Sequence, residues 1–363
     1  MDQNIYIKLR EHLDSMPAGY PETASGAEIK MLEKFYTPQQ AHIALAIGPM
    51  PEKAEDIAGR LDMDPADAVE AIEKMATQGN LFRIHSPDGS LYMHPNFIMG
   101  LYEWHVNVID REAAEYADDI YDGIFEHHWK NRKTKQLRIV PVETAVTAKD
   151  TVQSYDVIRD LVRGSGHGPY VAAPCICRVE QLKKGNEVNR PMETCLTFGM
   201  VARYYIDNGI GTELTGDELM EKLAECEKAS LVPFSTNSKK IINMCMCDGE
   251  SCQLLRNLRK FKKPALEVHA AFSAVINEHA CNGCKKCTRR CQIEAIAARA
   301  DQIDKKAKIH IIDQDRCIGC GLCVSICPQE AITLQARDEL PDVPKNPVEM
   351  SMRIIQERTE LNA

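Results

Sequence analysis

Fifteen cysteines lie in this 363-residue chain, and eight of them fall into two runs of identical spacing. Cys281, Cys284, Cys287 and Cys291 read Cys-x2-Cys-x2-Cys-x3-Cys, and Cys317, Cys320, Cys323 and Cys327 repeat the pattern. Three thiolates this close on a tight loop can wrap three irons of a cubane, but the fourth iron needs a thiolate from elsewhere. A zinc site requires no third Cys-x2 step. The spacing therefore predicts iron–sulfur chemistry over two zinc sites or eight structural thiols. Gly319 and Gly321 flank Cys320, where a chain that hugs a cluster benefits from missing side chains.

Over about sixty residues this stretch resembles the bacterial two-cluster ferredoxins. The resemblance implies crossed ligation of two [4Fe–4S] clusters. Cys281, Cys284, Cys287 and Cys327 would hold one, and Cys317, Cys320, Cys323 and Cys291 the other. Pro328 follows Cys327 as in that family, whereas Gln292 follows Cys291, a departure that touches packing and leaves the ligands intact. Glu-Ala-Ile recurs at 294–296 and 330–332, so the repeat extends past the cysteines. Lys308 to Asp313 is β-branched and weakly alternating, and reads as a strand. The first loop carries Lys285, Lys286, Arg289 and Arg290, and the second is mostly apolar. We expect the second to be buried and the first to face solvent or an acidic redox partner.

Six further cysteines invite a second site. Cys175 and Cys177 lie two apart in Tyr170 to Cys177, which reads as a strand, so both thiols share a face. Cys245 and Cys247 repeat that spacing, and two such strands side by side would offer four converging thiolates. Cys195 and Cys252 are candidate additional ligands. Three readings stay open for this set: a third iron–sulfur cluster, a structural zinc, or buried thiols without metal. Cys226, in a helical stretch with Leu219 and Leu223, reads as a core residue.

The elements that must position these residues suggest a multidomain α+β chain. Residues 26–95 read as a winged helix within an N-terminal domain spanning 1–100. Thr37-Pro38-Gln39-Gln40 starts one helix with a capping box, Glu52 to Leu61 gives a second, and Asp64-Pro65 opens a third that Gly79 stops. Leu81 to Ile84 and Leu91 to His94 form the wing. The would-be recognition helix shows Asp67, Glu70 and Glu73 against Lys74, which would repel phosphates, so no nucleic acid is expected. Glu112 to Phe125 reads as an acidic helix with a solvated face, and His127 and His128 as ordinary surface residues. A central α/β, cysteine-containing domain is expected over 101–264, with strands at Arg138–Glu143 and Tyr170–Cys177 and a helix at Ser154–Val162. The loop Gly164 to Gly168 lies between helix and strand and lacks a P-loop lysine, so it is no nucleotide site. The two-cluster ferredoxin domain takes 265–340, and a helical tail takes 341–363.

Charge is unevenly spread. Residues 1–129 carry 9 Lys+Arg against 23 Asp+Glu, within a whole-chain charge of −9. The basic stretch Arg256 to Lys263 reads as a solvated helix end or, with the first cysteine loop, a frame for docking an acidic redox protein. No apolar run approaches a membrane span, and the N-terminus has no apolar signal region. Cysteine spacing that says metal points to a reducing cytoplasm and an anaerobic host.

The whole order resembles a group of iron–sulfur proteins of anaerobic bacteria. The residues that carry this are Pro17 to Pro21, A-P-C-I-C-R at 173–178, E-T-C-L-T-F-G at 193–199, the Cys-x-Cys run and the two-cluster module. Those relatives carry a denser cysteine run where this chain has Asp248, Glu250 and Ser251. The resemblance implies electron transfer and names no substrate. The expected function is a non-catalytic electron-transfer subunit passing single electrons through two clusters, and a third if present, to or from a partner oxidoreductase. The rivals are a redox-sensing winged-helix regulator and a reductase with a substrate-binding iron–sulfur site in the central domain.

Overall fold

The computed structural model describes residues 3–130, 132–146, 158–164, 168–300 and 308–361. It opens with α1 (Gln3–Ser15), α2 (Ala27–Phe35) and α3 (Pro38–Leu45). α3 starts where its sequence dictates: the Gln40 amide N–H donates to Thr37 Oγ1 at 3.3 Å, and Gln40 Oε1 accepts from the Thr37 N–H at 2.9 Å. This reciprocal cap satisfies two otherwise orphaned donors. β1 (Glu52–Lys53) and α4 (Ala54–Ala58) lead to α5 (Pro65–Thr77), which Asp64 caps. The hairpin β2 (Phe82–Ser86) and β3 (Gly89–Met93) closes a small sheet of order β1-β3-β2. The chain then bends through Phe97–Leu101, where Met99 adopts φ 63°, into the single turn α6 (Tyr102–Trp104).

α7 (Arg111–Ile124) follows, an acidic helix with the expected solvated face, on which Glu112, Glu115, Asp119 and Asp122 are exposed, but it is no mere surface element. One face buries Ala113, Ala117, Ile120, Tyr121 and Ile124, and its acids are partnered. Asp118 meets Lys184 at 2.8 Å and Arg256 at 3.1 Å, and Asp122 meets Lys260 at 2.5 Å. His128 is likewise no ordinary surface residue: it packs on Gly19 and pairs with Asp14 at 2.7 Å.

β4 (Leu137–Ile139), α8 (Ile158–Gly164), β5 (Tyr170–Pro174), α9 (Ile176–Lys183), β6 (Glu193–Phe198), α10 (Met200–Asp207), β7 (Thr212–Leu214), α11 (Gly216–Lys228), β8 (Val232–Thr236), β9 (Asn243–Cys247) and α12 (Gln253–Lys260) make up the middle of the chain. The strands form a six-stranded sheet of order β4-β8-β9-β6-β5-β7. Alternating strands and helices suggested an α/β domain, but every ladder within this sheet is antiparallel. β8 and β9 join as a hairpin, and β5 returns into β6 after one short helix. Expected helix residues 154–157 and loop residues 165–167 lie outside the described residues.

The sheet's two faces have different cores. Leu196, Met244 and Met246 pack with Leu161 of α8 and with Leu219, Leu223 and Cys226 of α11. Burial pushes the Cys226 thiol up to about 12, as an inert core thiol requires. The opposite face, carrying Cys195 and Cys247, joins a larger apolar cluster that runs from Tyr6 to Leu334.

The last part holds β10 (Phe272–Ile276), α13 (Lys286–Arg290), β11 (Ile296–Ala300), β12 (Lys308–Ile312), α14 (Leu322–Ser325) and β13 (Ile332–Ala336). β10 pairs with β13 and β11 with β12, both antiparallel. α15 (Pro347–Leu361) packs back: Glu357 accepts from Thr134 Oγ1 at 2.7 Å, and Arg358 donates to Met16 O at 2.6 Å.

The N-terminal helices and hairpin seat on the sheet through Tyr204 of α10. Its hydroxyl lies 2.9 Å from Ala76 O and 3.0 Å from Leu81 O, and its ring centroid is 4.4 Å from that of Trp104. Tyr204→Phe should lower unfolding stability by about 1–2 kcal/mol, the cost of leaving a buried carbonyl unpaired. Urea denaturation reads this directly, and an unchanged midpoint would contradict the coupling.

Candidate metal centres

The eight cysteines of the two runs gather into two sets of four. One small cavity is lined by Cys281, Cys284, Cys287 and Cys327. A second is lined by Cys291, Cys317, Cys320 and Cys323. Each set takes three thiols from one loop and one from the far run. A local two-fold likeness relates them. Gly283 and Gly319 share φ 69°, and Lys285 (φ 64°) occupies the place of Gly321 (φ 78°). Backbone N–H groups of Ala295 and Ala331 donate to Cys291 Sγ and Cys327 Sγ at 3.2 and 3.4 Å. A Cβ on Gly319 would overlap the carbonyl oxygen of Phe272.

These residues fit an anionic cluster. Burial pushes the Cys320 thiol up to about 12 and Cys323 well above its ordinary value, so charged thiolates here call for compensating positive charge. Arg290 supplies some: its Nε is buried without a partner among the described residues, and its charge acts on Cys320 and Cys323. At the other cavity His310 lines the wall with a buried, unpartnered Nδ1. Sequence reasoning passed over His310, although a polar residue amid the isoleucines of β12 was the available signal. Arg290 corrects an expectation: its guanidinium is buried and donates to Glu227 O, so it cannot join Lys285, Lys286 and Arg289 on an exposed docking face. The first loop is otherwise exposed, with Cys284 at the surface, and the second is buried against Val142, Ala145 and Leu334.

The six central cysteines also come together, though by a different route from the one expected. β6 and β9 place Cys195 opposite Cys245, and Cys247 shares that face. Cys175 and Cys177 are not on a strand face. The ladder shifts register at Pro174, which has no N–H to offer, and Cys175 becomes the N-cap of α9 with Cys177 in its first turn. Cys252 is in turn the N-cap of α12. The thiols lie close enough to shift one another's ionisation, Cys195 with Cys245, Cys245 with Cys247, Cys247 with Cys252 and Cys252 with Cys177, and the Cys247 and Cys252 sulfurs are hydrogen-bonded at 3.1 Å. Hydrogen bonds from Cys195 and Cys247 bring Cys245 down to about 5. Burial opposes ionisation of Cys252, yet bonds from Cys177, Cys247 and the Leu255 N–H hold it well below the usual thiol range. Thiolate character at the N-terminus of α12, at Cys252, is the electrostatic setting that a metal ligand needs. Among the described residues no group of three or more His, Cys, Asp or Glu side chains is arranged around one metal ion.

Arg178 ties this centre together. Fully buried, it donates to Asp248 Oδ2 from Nε at 2.9 Å, to Met246 O at 2.9 Å, to Pro191 O at 2.9 Å, and to Thr194 Oγ1. Asp248 in turn accepts from the Glu250 and Ser251 N–H groups at 3.1 and 2.7 Å and so shapes the turn that delivers Cys252. Asp248 thus has a structural task in the turn before α12. The turn also touches the other module: Gly249 N–H donates to Gln292 Oε1 at 2.8 Å, and Arg259 bridges Gln292 O and Gly249 O at 2.9 and 2.8 Å. Gln292, beside Cys291, is therefore the hydrogen-bonded link between the second four-thiol set and the six-thiol centre.

Arg178→Met would leave Asp248 buried without its counter-charge, a loss of about 3–5 kcal/mol. Urea denaturation should register it, and a change below about 1 kcal/mol would show that the pair does not hold the centre.

No curated protein and no solved structure matches this chain. Residues 274–334, the segment that holds all eight cysteines of the two runs, match the family model of the 4Fe-4S dicluster domain, and this part of the chain is a ferredoxin-like iron–sulfur domain.

Proposed function

We propose that the chain carries single electrons between a donor and a partner oxidoreductase, with three iron–sulfur centres. Cys281, Cys284, Cys287 and Cys327 would hold one [4Fe–4S] cluster, and Cys291, Cys317, Cys320 and Cys323 a second. Cys175, Cys177, Cys195, Cys245, Cys247 and Cys252 would hold the third. Such clusters exchange one electron at a time. The observation that carries this reading is the division of eight cysteines into two four-thiol cavities, one near the surface and one deep.

The central centre favours a cluster over zinc. The Gln292–Gly249 contact brings the six thiols next to the deep set, where a further cluster would extend the electron path and a redox-inert zinc would not. The protein's own residues do the rest: Arg178 and Arg290 offset negative charge, and the apolar core excludes water.

Partner docking falls to the exposed Lys285, Lys286 and Arg289 around Cys284, a basic patch suited to an acidic redox protein. The stretch Arg256–Lys263 contributes little to docking, because Arg256, Arg259, Lys260 and Lys263 already pair with Asp118, Glu294, Asp122 and Asp315. The N-terminal winged helix serves as a packing module and not as a DNA reader. Glu73 of α5 pairs with Arg83, and the acids left exposed on that helix repel phosphate.

The test is electron paramagnetic resonance of the reduced full chain, prepared without oxygen. Cys284→Ala and Cys320→Ala should each abolish the signal of one cluster while sparing much of the other. Two variants that both keep the wild-type spectrum and iron content would overturn the ligand assignment.

A further inference from the structure

A cavity of about 290 Å³ opens on the sheet face that carries the six-thiol centre, close to the lower end of small-molecule sites, roughly 300–1,000 Å³. Three separate parts of the chain build it: the β2–β3 hairpin region, the central sheet with α10, and α15. None of the three closes it alone. From its lining and its polar groups we propose that this cavity binds an uncharged, largely hydrocarbon carbonyl compound of the enone or quinone type, beside Cys195.

Four observations fix that class. First, the floor reaches the thiol centre. Cys195 lines the cavity, as does Met99, whose Sδ lies 3.5 Å from Cys245 Sγ. Met99 holds a left-handed φ of 63°, an unfavourable state for an unbranched non-glycine residue that persists only where its surroundings impose it. Second, the walls carry no Lys, Arg or His among the described residues, so nothing there would neutralise an anion. Third, two hydroxyls stand ready to donate. Thr197 Oγ1 is fully buried and has no hydrogen-bond partner among the described residues, and the Tyr205 hydroxyl lies 3.9 Å from Cys195 Sγ. An unpaired buried hydroxyl costs free energy that an acceptor on a ligand would recover. Fourth, the mouth is apolar and adaptable. Five of the ten exposed large apolar side chains among the described residues, Met50, Met200, Val348, Met352 and Ile355, ring this one cavity. Unbranched thioethers mould to flat hydrocarbon bodies, and the ring of Trp104 offers a face to stack on.

This site does not depend on the electron-carrier reading, because binding can be read in the oxidised holoprotein with no donor present. The experiment is anaerobic calorimetric titration of the oxidised full chain with 2,3-dimethyl-1,4-naphthoquinone, whose blocked ring positions avoid thiol addition. Saturable one-site binding is expected. Thr197→Val should weaken it about five- to tenfold, the worth of one hydrogen bond, while leaving iron content and stability at or above wild type. Tyr205→Phe provides the second variant. 1,4-Dimethylnaphthalene, which has a similar body without the carbonyls, should bind more weakly and be indifferent to Thr197→Val. Absence of saturable binding, equal affinity for the hydrocarbon, or unchanged affinity in both variants would each overturn the proposal.

Discussion

A single buried guanidinium holds the middle of this molecule. Arg178 is fully buried in the first turn of α9, bonded to the carboxylate of Asp248 and to the backbone of β9. A lone charge so buried would be prohibitively costly. Its four acceptors therefore have to be where they are, and in being there they fix three separate pieces of chain. The start of α9 brings Cys175 and Cys177, β9 brings Cys245 and Cys247, and the Asp248 turn brings Cys252. Among the causes that lower the Cys245 thiol, after its bonds with Cys195 and Cys247, is the charge of the same cation. Asp248 stays ionised because the attraction of Arg178 and the Ser251 N–H outweigh its desolvation. Its contribution to stability is present above the ordinary carboxylate range and is lost as pH falls through its lowered value.

Around that core, charge is used mainly for internal assembly. The acidic front meets the basic stretch before Pro264 through α7, whose Asp118 and Asp122 pair with Lys184, Arg256 and Lys260. Exposed pairs of this kind contribute little each, but they orient α7 against α9 and α12, which carry Cys177 and Cys252. Lys285, Lys286 and Arg289 stand exposed beside Cys284 on the first loop of the dicluster domain. The molecule thus combines a surface-exposed thiol set with a buried thiol centre beside an apolar cavity.

How much of this was legible in the sequence followed the range of the interactions. The dicluster region was readable because its cysteine spacing is local, and a cluster's size dictates it. Capping was readable for the same reason, as at Thr37–Gln40 and Asp64–Pro65. The burial of the second loop and exposure of the first followed from their side chains. Long-range features were not readable. Nothing within Arg138 to Cys247 announced antiparallel order, and the alternating apolar run up to Cys177 concealed the turn that Pro174 imposes. The convergence of Cys195, Cys245 and Cys252 depends on strand neighbours chosen by the whole sheet, and the pairing of Asp118 on α7 was hidden because its partners are about seventy or more residues away. The role of Gln292 could not be inferred either, since its partner Gly249 is distant in sequence.

The account stands most directly on the metal content of the anaerobically purified full-length chain. Three cubane-type centres predict about twelve irons and as many acid-labile sulfides per chain, with no stoichiometric zinc. About eight irons with one zinc would reduce the central centre to a structural clip, and about eight irons with no other metal would leave its six thiols empty. Either result would contradict the claim that Arg178 and its partners assemble a third iron–sulfur site.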